Sequence, residues 1–243
     1  MRVLVMNVNT NERMTAGIRA SAEAAAGPDT EIVATEPAWG PEAVEGHFEG
    51  YLSAVAIYDR LSGMPDKFDA LVWAGFGEPG REGAQELLDV PVVDITEAAA
   101  HMACLIGHSY SVVTTLDRAV PQIGDRLLLA GLRQRCASIR ATGLGVLELE
   151  RDPDATLTAM VAQARRAVEE DGAEVICLGC AGMTGLDEAL AAATGVPVID
   201  GVAAAVKLAE ALHGLGLRTS KSRSFGTPRP KSLTGWPLSR QGR

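Results

Sequence analysis

The residue with the most chemistry to offer is Cys180. It closes the apolar run Val175-Ile176-Cys177-Leu178 and sits in the turn Gly179-Cys180-Ala181-Gly182-Met183. A short apolar run bounded by glycines reads as a parallel strand covered on both faces, and residues Thr184 to Ala193 have helical composition. The spacing therefore places the thiol just beyond the carboxyl end of a strand and near a helix start, where open α/β sheets bind ligands and where a thiolate is favoured over a thiol. Cys177 and Cys180 form a C-x-x-C pair, but no second pair and no suitably spaced histidine accompanies it, which argues against zinc. Cys177 lies inside the apolar run and reads as a small core residue, which argues against a redox dithiol. His47, His101, His108 and His213 are scattered and show no ligand spacing.

A second stretch matches the first. Ala70 to Gly77 aligns with Val175 to Gly182 and puts Gly75 opposite Cys180. Further on, Val90-Pro91-Val92-Val93-Asp94 aligns with Val196-Pro197-Val198-Ile199-Asp200, and Arg2 to Thr10 aligns with Tyr110 to Leu116. This self-similarity, at an offset of about 105 residues, marks an internal duplication. The loop Gly75-Phe76-Gly77-Glu78-Pro79-Gly80 has three glycines, so its backbone amides can approach a ligand closely, and it carries one acid, Glu78. Polar groups cluster at two other strand ends: Asn9 and Thr10 in the first half, Thr114 and Thr115 in the second.

These groups need a frame to position them. Strands are expected over Arg2 to Met6, Glu31 to Thr35, Asp69 to Ala74, Val90 to Asp94, Ser111 to Thr115, Gly145 to Leu149, Val175 onward and Val196 to Asp200. Helices are expected over Glu12 to Ala26, His47 to Leu61, Thr96 to Leu105, Asp117 to Leu132, Asp152 to Glu170, Thr184 to Ala193 and Val202 to Leu212. Alternating strands and helices give an α/β fold of two similar lobes, each a parallel sheet flanked by helices, with the site in the cleft between them. The expected division is 1–107 with 212–232 as the first lobe and 108–211 as the second. From Gly214 onward a poorly structured end is expected, with 233–243 a flexible basic tail.

Composition narrows the class. The chain has 243 residues, 47% apolar, with a net charge of −9, which argues against a nucleic-acid binder. No apolar run is long enough to span a bilayer and no secretory signal is visible, so a cytoplasmic protein with no membrane partner is expected. Four cysteines inside elements suit a reducing compartment. No Walker, G-x-S-x-G, H-E-x-x-H or dinucleotide motif is present. A thiol facing backbone amides across a cleft suggests proton transfer at a carbon next to a carbonyl.

The chain resembles the aspartate/glutamate/hydantoin racemase superfamily, most closely its hydantoin racemase branch, from Val3 to about Lys231. The resemblance rests on Asn7-Val8-Asn9-Thr10, Gly40-Pro41 with Val44-Glu45-Gly46, Phe76-Gly77-Glu78-Pro79-Gly80, Leu178-Gly179-Cys180-Ala181-Gly182-Met183, Gly195 to Asp200 and Thr219-Ser220-Lys221. It implies a two-lobed, cofactor-independent and metal-free isomerase, homo-oligomeric, in which two cysteines flank the substrate carbon. The second family cysteine maps onto Cys180; the first maps onto Gly75, which has no acid or base to offer. The resemblance also implies a substrate-binding set of Asn9, Thr10, Phe76, Gly77, Glu78, Thr114, Thr115, Gly179, Ala181 and Gly182, around a hydantoin, ureide or amino-acid derivative. The absence of Arg or Lys from either cleft loop favours a neutral ring over a dicarboxylate. Asn9, Glu78 and Thr115 are the neighbours available to Gly75. Two alternatives stand beside the racemase reading: a one-thiol decarboxylase like the arylmalonate decarboxylases, and a non-catalytic small-molecule-binding member.

Overall fold

The apolar runs that open each half become inner strands of two parallel sheets. The computed structural model describes residues 1–64 and 67–232. In the first half β1 (Arg2–Asn7), α1 (Glu12–Ala25), β2 (Glu31–Thr35), α2 (His47–Gly63), β3 (Ala70–Ala74), α3 (Arg81–Leu87), β4 (Val92–Asp94) and α4 (Ile95–Ile106) follow one another. In the second come β5 (Tyr110–Thr114), α5 (Ala119–Leu129), β6 (Cys136–Ala141), α6 (Pro153–Glu169), β7 (Val175–Leu178), α7 (Asp187–Thr194), β8 (Val198–Ile199) and α8 (Gly201–Gly214). The sheets have orders β2-β1-β3-β4 and β6-β5-β7-β8. The same order appears twice, as a duplication requires.

Each inner strand is apolar on both faces because each face is covered. Val3 and Val5 of β1 join one core cluster, while Leu4 and Met6 point the other way and pack with Trp73 and Ile57. The first cluster is continuous through both lobes, running from Val5 and Val72 through Ala99 and Ala103 to Val112 and Cys177. Helix packing crosses the boundary between the halves: α8 lies against α1, α4, β3 and β4, whereas α4 lies against β7 as well as its own sheet.

The repeated Val-Pro-Val-x-Asp segments do the same local work twice. Asp94 accepts from the amides of Thr96 and Glu97 at the start of α4, and Asp200 accepts from those of Val202 and Ala203 at the start of α8. Such caps satisfy donors that a helix start leaves free.

One expectation is corrected. Gly145 to Leu149 is not a strand: Val146–Glu148 forms a 3-10 turn, with Glu148 accepting from the Gly145 amide and Glu45 from the Val146 amide. The edge strand beside β5 is Cys136–Ala141, where only Cys136 is buried. Residues 215–232 carry little regular structure beyond the 3-10 turn Arg223–Phe225. Thr219 bonds to Asp89 and Val90 carbonyls, and Lys221 Nζ donates to the carbonyls of Gln85 and Glu86, so this segment returns to the first lobe. The expected tail at 233–243 lies outside the described residues.

Candidate active site

Parallel strands present their carboxyl ends at one edge, and four of those ends converge here: the residues after β1, β3, β5 and β7. Two adjoining cavities of about 20 Å³ each lie between them. Each is about the size of one water, so this is a closed cleft. Asn9, Gly75, Phe76 and Glu78 of the first half and Cys180 and Ala181 of the second wall one cavity; Phe76, Glu78, Thr114, Thr115, Gly179 and Cys180 wall the other. The structure thus brings together most of the residues expected from sequence. Thr10, Gly77 and Gly182 stand outside both walls. Thr10 bonds to the Pro41 carbonyl, the Gly77 amide donates to Thr96 Oγ1 (2.8 Å), and the Gly182 amide donates to Cys180 Sγ (3.4 Å). Asn9 is held by Asn7 and Met14.

Glu45, Gln122, Val8, Val44 and Val146 line the cavities without having been singled out as site residues. Val8, Val44 and Glu45 had a signal, in Asn7-Val8-Asn9-Thr10 and Val44-Glu45-Gly46; Gln122 sits mid-helix in α5 and has none. Glu45 also spans the cleft, since its Oε1 accepts from the Val146 amide at 2.8 Å. No Lys or Arg is among the lining residues, and both charged ones are acids.

The ionisation of the thiol differs from expectation. The helix after Cys180 begins only at Asp187, so the thiol faces a single 3-10 turn, Ala181–Met183. Burial pushes the Cys180 pKa up to about 12, with the carboxylates of Glu78 and Glu45 adding to the rise and the Gly182 amide opposing it. Desolvation and two nearby acids outweigh one amide, so Cys180 rests as a thiol. Cys177 is fully buried in β7 and its thiol is also raised by burial, in keeping with a core role.

Glu78 is the more unusual group. A Cβ added to Gly75 would lie 2.6 Å from Val8 Cγ1, 2.7 Å from Glu78 Oε2 and 3.3 Å from Trp73 Nε1. The glycine leaves a volume, and the Glu78 carboxyl occupies it. Oε2 is buried and has no hydrogen-bond partner among the described residues. Burial, reinforced by the charge of Asp94 and opposed by the residue's own amide, moves the Glu78 pKa from 4.5 to about 8. Two protonated groups, one from each half, therefore face one cavity.

Residues 3–209 match the Asp/Glu/hydantoin racemase family. The chain belongs to that family. A hydantoin racemase of Pseudomonas sp. (strain NS671) is 42% identical over 236 residues, covering 97% of this chain and 95% of that one. The crystal structure of an allantoin racemase from Pseudomonas fluorescens is similar at TM-score 0.95 and 61% identity, over 97% of this chain and 100% of that chain. An allantoin racemase from Klebsiella pneumoniae is similar at TM-score 0.94 and 41% identity, over 98% of both chains. The family member described here is accordingly an isomerase of the racemase type, and its two-lobe α/β fold is that of its relatives. No described helix is long and apolar enough to cross a membrane.

Proposed function

We propose that this protein racemises a neutral 5-substituted hydantoin, with allantoin the first candidate, by proton transfer between two unlike groups, Cys180 on one face of the ring and Glu78 on the other. The observation that carries this reading is the place of the Glu78 carboxyl, 2.7 Å from where a side chain on residue 75 would begin. An acid stands where family members of the two-cysteine type carry their first thiol. The C5 hydrogen of a hydantoin is acidic because an adjacent carbonyl takes up the negative charge. In the form that turns over, one of the two groups has lost its proton; that group removes the C5 proton, the carbanion is held as an enolate, and the other group, still protonated, delivers its proton from the opposite face. The reverse reaction exchanges the roles, and the enzyme ends each turnover with one proton between the pair.

The substrate class follows from the walls. Two acids and no cation give a dicarboxylate no counter-charge, while Glu45 and the side-chain oxygens of Thr115 and Gln122 can accept from ring and ureido N–H groups. The likeness at 61% identity to an allantoin racemase supports the ureido-substituted ring. The one-thiol decarboxylase reading has less support, because it leaves the carboxyl at Gly75 without a task and requires an anionic substrate beside Glu45 and Glu78. Entry of a ring into so small a space requires the cleft to open, and the Glu45 contact with Val146 is one that must break.

The test is circular dichroism of each allantoin enantiomer, with proton NMR in deuterium oxide to follow exchange at C5. Wild type should accelerate both decays above the buffer rate with solvent deuterium incorporated at C5; Cys180→Ala and Glu78→Gln should not. Failure of wild type to accelerate any 5-substituted hydantoin would defeat the proposal.

A further inference from the structure

Trp73 is the last but one residue of β3 and is fully buried, yet its indole N–H has no hydrogen-bond partner among the described residues. It stands 3.3 Å from the point where a Gly75 Cβ would lie, the same point that Glu78 Oε2 approaches to 2.7 Å. Two orphaned buried groups, one a donor and the other able to accept, thus flank one small volume. A buried donor left without an acceptor is costly, so such a pair calls for a reason. The Gly75 to Gly80 loop is wrapped along that edge of the indole. A Cβ on Gly80, whose φ is +121°, would lie 2.7 and 2.8 Å from Trp73 Cζ2 and Cη2, so only glycine allows the loop to pass so close. Tyr58 packs against the ring at 6.3 Å between centroids and donates to the Gly80 carbonyl at 2.7 Å. Trp73 is absent from the cavity walls and stands behind Gly75, which is part of them.

We propose that the Trp73 indole N–H is the positioning donor for Glu78, meeting the carboxylate each time Glu78 has given up its proton. This rests on the two-base reading. When Glu78 protonates the carbanion, its O–H bond breaks and a buried carboxylate remains. The charges facing it are unhelpful: Asp94 is an acid, already paired with Arg81 and Arg126, and across the cavity stand Cys180 and Glu45. The Glu78 amide lies close enough to favour the charged form, but only in part. Trp73 supplies a full hydrogen bond, keeping its own proton throughout, and a bond to an ionised acceptor is stronger than one to a neutral acceptor.

The experiment replaces the indole N–H by sulfur with the ring shape nearly kept. In a Trp39→Phe, Trp236→Phe background, tryptophan is exchanged for benzothienylalanine, so that only position 73 changes between the two preparations. The expected result is a kcat about tenfold lower in both directions, equivalent to about 1.4 kcal/mol, with KM within about twofold. The acid limb of kcat/KM should also move about one unit to higher pH, because the ionised form of Glu78 loses a donor. In the tryptophan-containing preparation, indole fluorescence should titrate with Glu78 and the titration should vanish in Glu78→Gln. An unchanged kcat and pH profile in the benzothienylalanine protein, whatever its melting temperature, would overturn the proposal while leaving the two-base reading intact. Wild-type racemisation by Glu78→Gln would overturn both.

Discussion

Glu78→Gln tests the central claim through stability as well as activity. Glutamine keeps the shape of the side chain and removes both its charge and its transferable proton. In the folded protein Glu78 holds its proton up to about pH 8, whereas in the unfolded chain it loses it near 4.5. Between those values the unfolded state binds fewer protons, so raising the pH favours unfolding. The folded state bears no cost from Glu78 below 4.5 and an increasing one as pH rises to about 8. Integrated between about pH 5 and about pH 8, a shift of this size makes wild type lose roughly 3 to 4 kcal/mol relative to the glutamine variant. In a chain of this length that corresponds to a change of roughly 6 to 16 °C in the difference between their melting temperatures. Comparing the two proteins at both pH values cancels any constant effect of the amide. The same substitution should lower racemisation in both directions by roughly 10²–10⁴, the usual worth of a positioned acid or base. Parallel melting curves at all pH values would mean that Glu78 ionises as an ordinary surface acid, and the reasoning from its burial would be wrong.

Four further outcomes follow from the geometry. Cys180→Ala should remove racemisation while leaving the fold intact by circular dichroism, since the residue packs at the edge of two core clusters rather than within either. Gly75→Cys should not improve the enzyme: the new Cβ meets Val8 and Glu78 at 2.6 and 2.7 Å, and overpacking of this kind costs about 1–3 kcal/mol. A melting temperature at or above wild type with faster racemisation would refute this. Glu45→Gln keeps an acceptor for Val146 but removes a charge that raises the Cys180 pKa, so alkylation by iodoacetamide should set in at lower pH than in wild type. Thr96→Val strands the Gly77 amide, which donates to Thr96 Oγ1 at 2.8 Å, and should cost about 1–3 kcal/mol in chemical denaturation together with a lower kcat.

Much of the architecture is carried by local pattern. Runs such as Val3 to Met6 and Val175 to Leu178 are apolar at every position because both faces of a parallel strand are covered, and that is visible without a partner strand. The repeated aspartates at 94 and 200 announce the helices they cap, and the duplication announces the two lobes. Where pattern is weak the reading fails. Cys136 to Ala141 lies at a sheet edge and is mostly half-buried, so it shows no clear alternation, while the apolar-acidic alternation of Val146 to Glu150 imitates a strand that the backbone does not form. Cys180 and the glycine opposite it are likewise legible as types in a turn. Their chemistry is not, because pKa is set by what surrounds a group in space. The thiol is raised by burial and by Glu45 and Glu78, both from the other half of the chain. That Glu78 fills the volume left by Gly75, beside Val8 and Trp73, depends on β1 and β3 lying side by side with Asn7 against Ala74 and Met6 against Trp73. The sequence by itself determined the fold, the family and the thiol; only the tertiary structure decided which group faces that thiol, because proximity across a sheet leaves no trace in linear spacing.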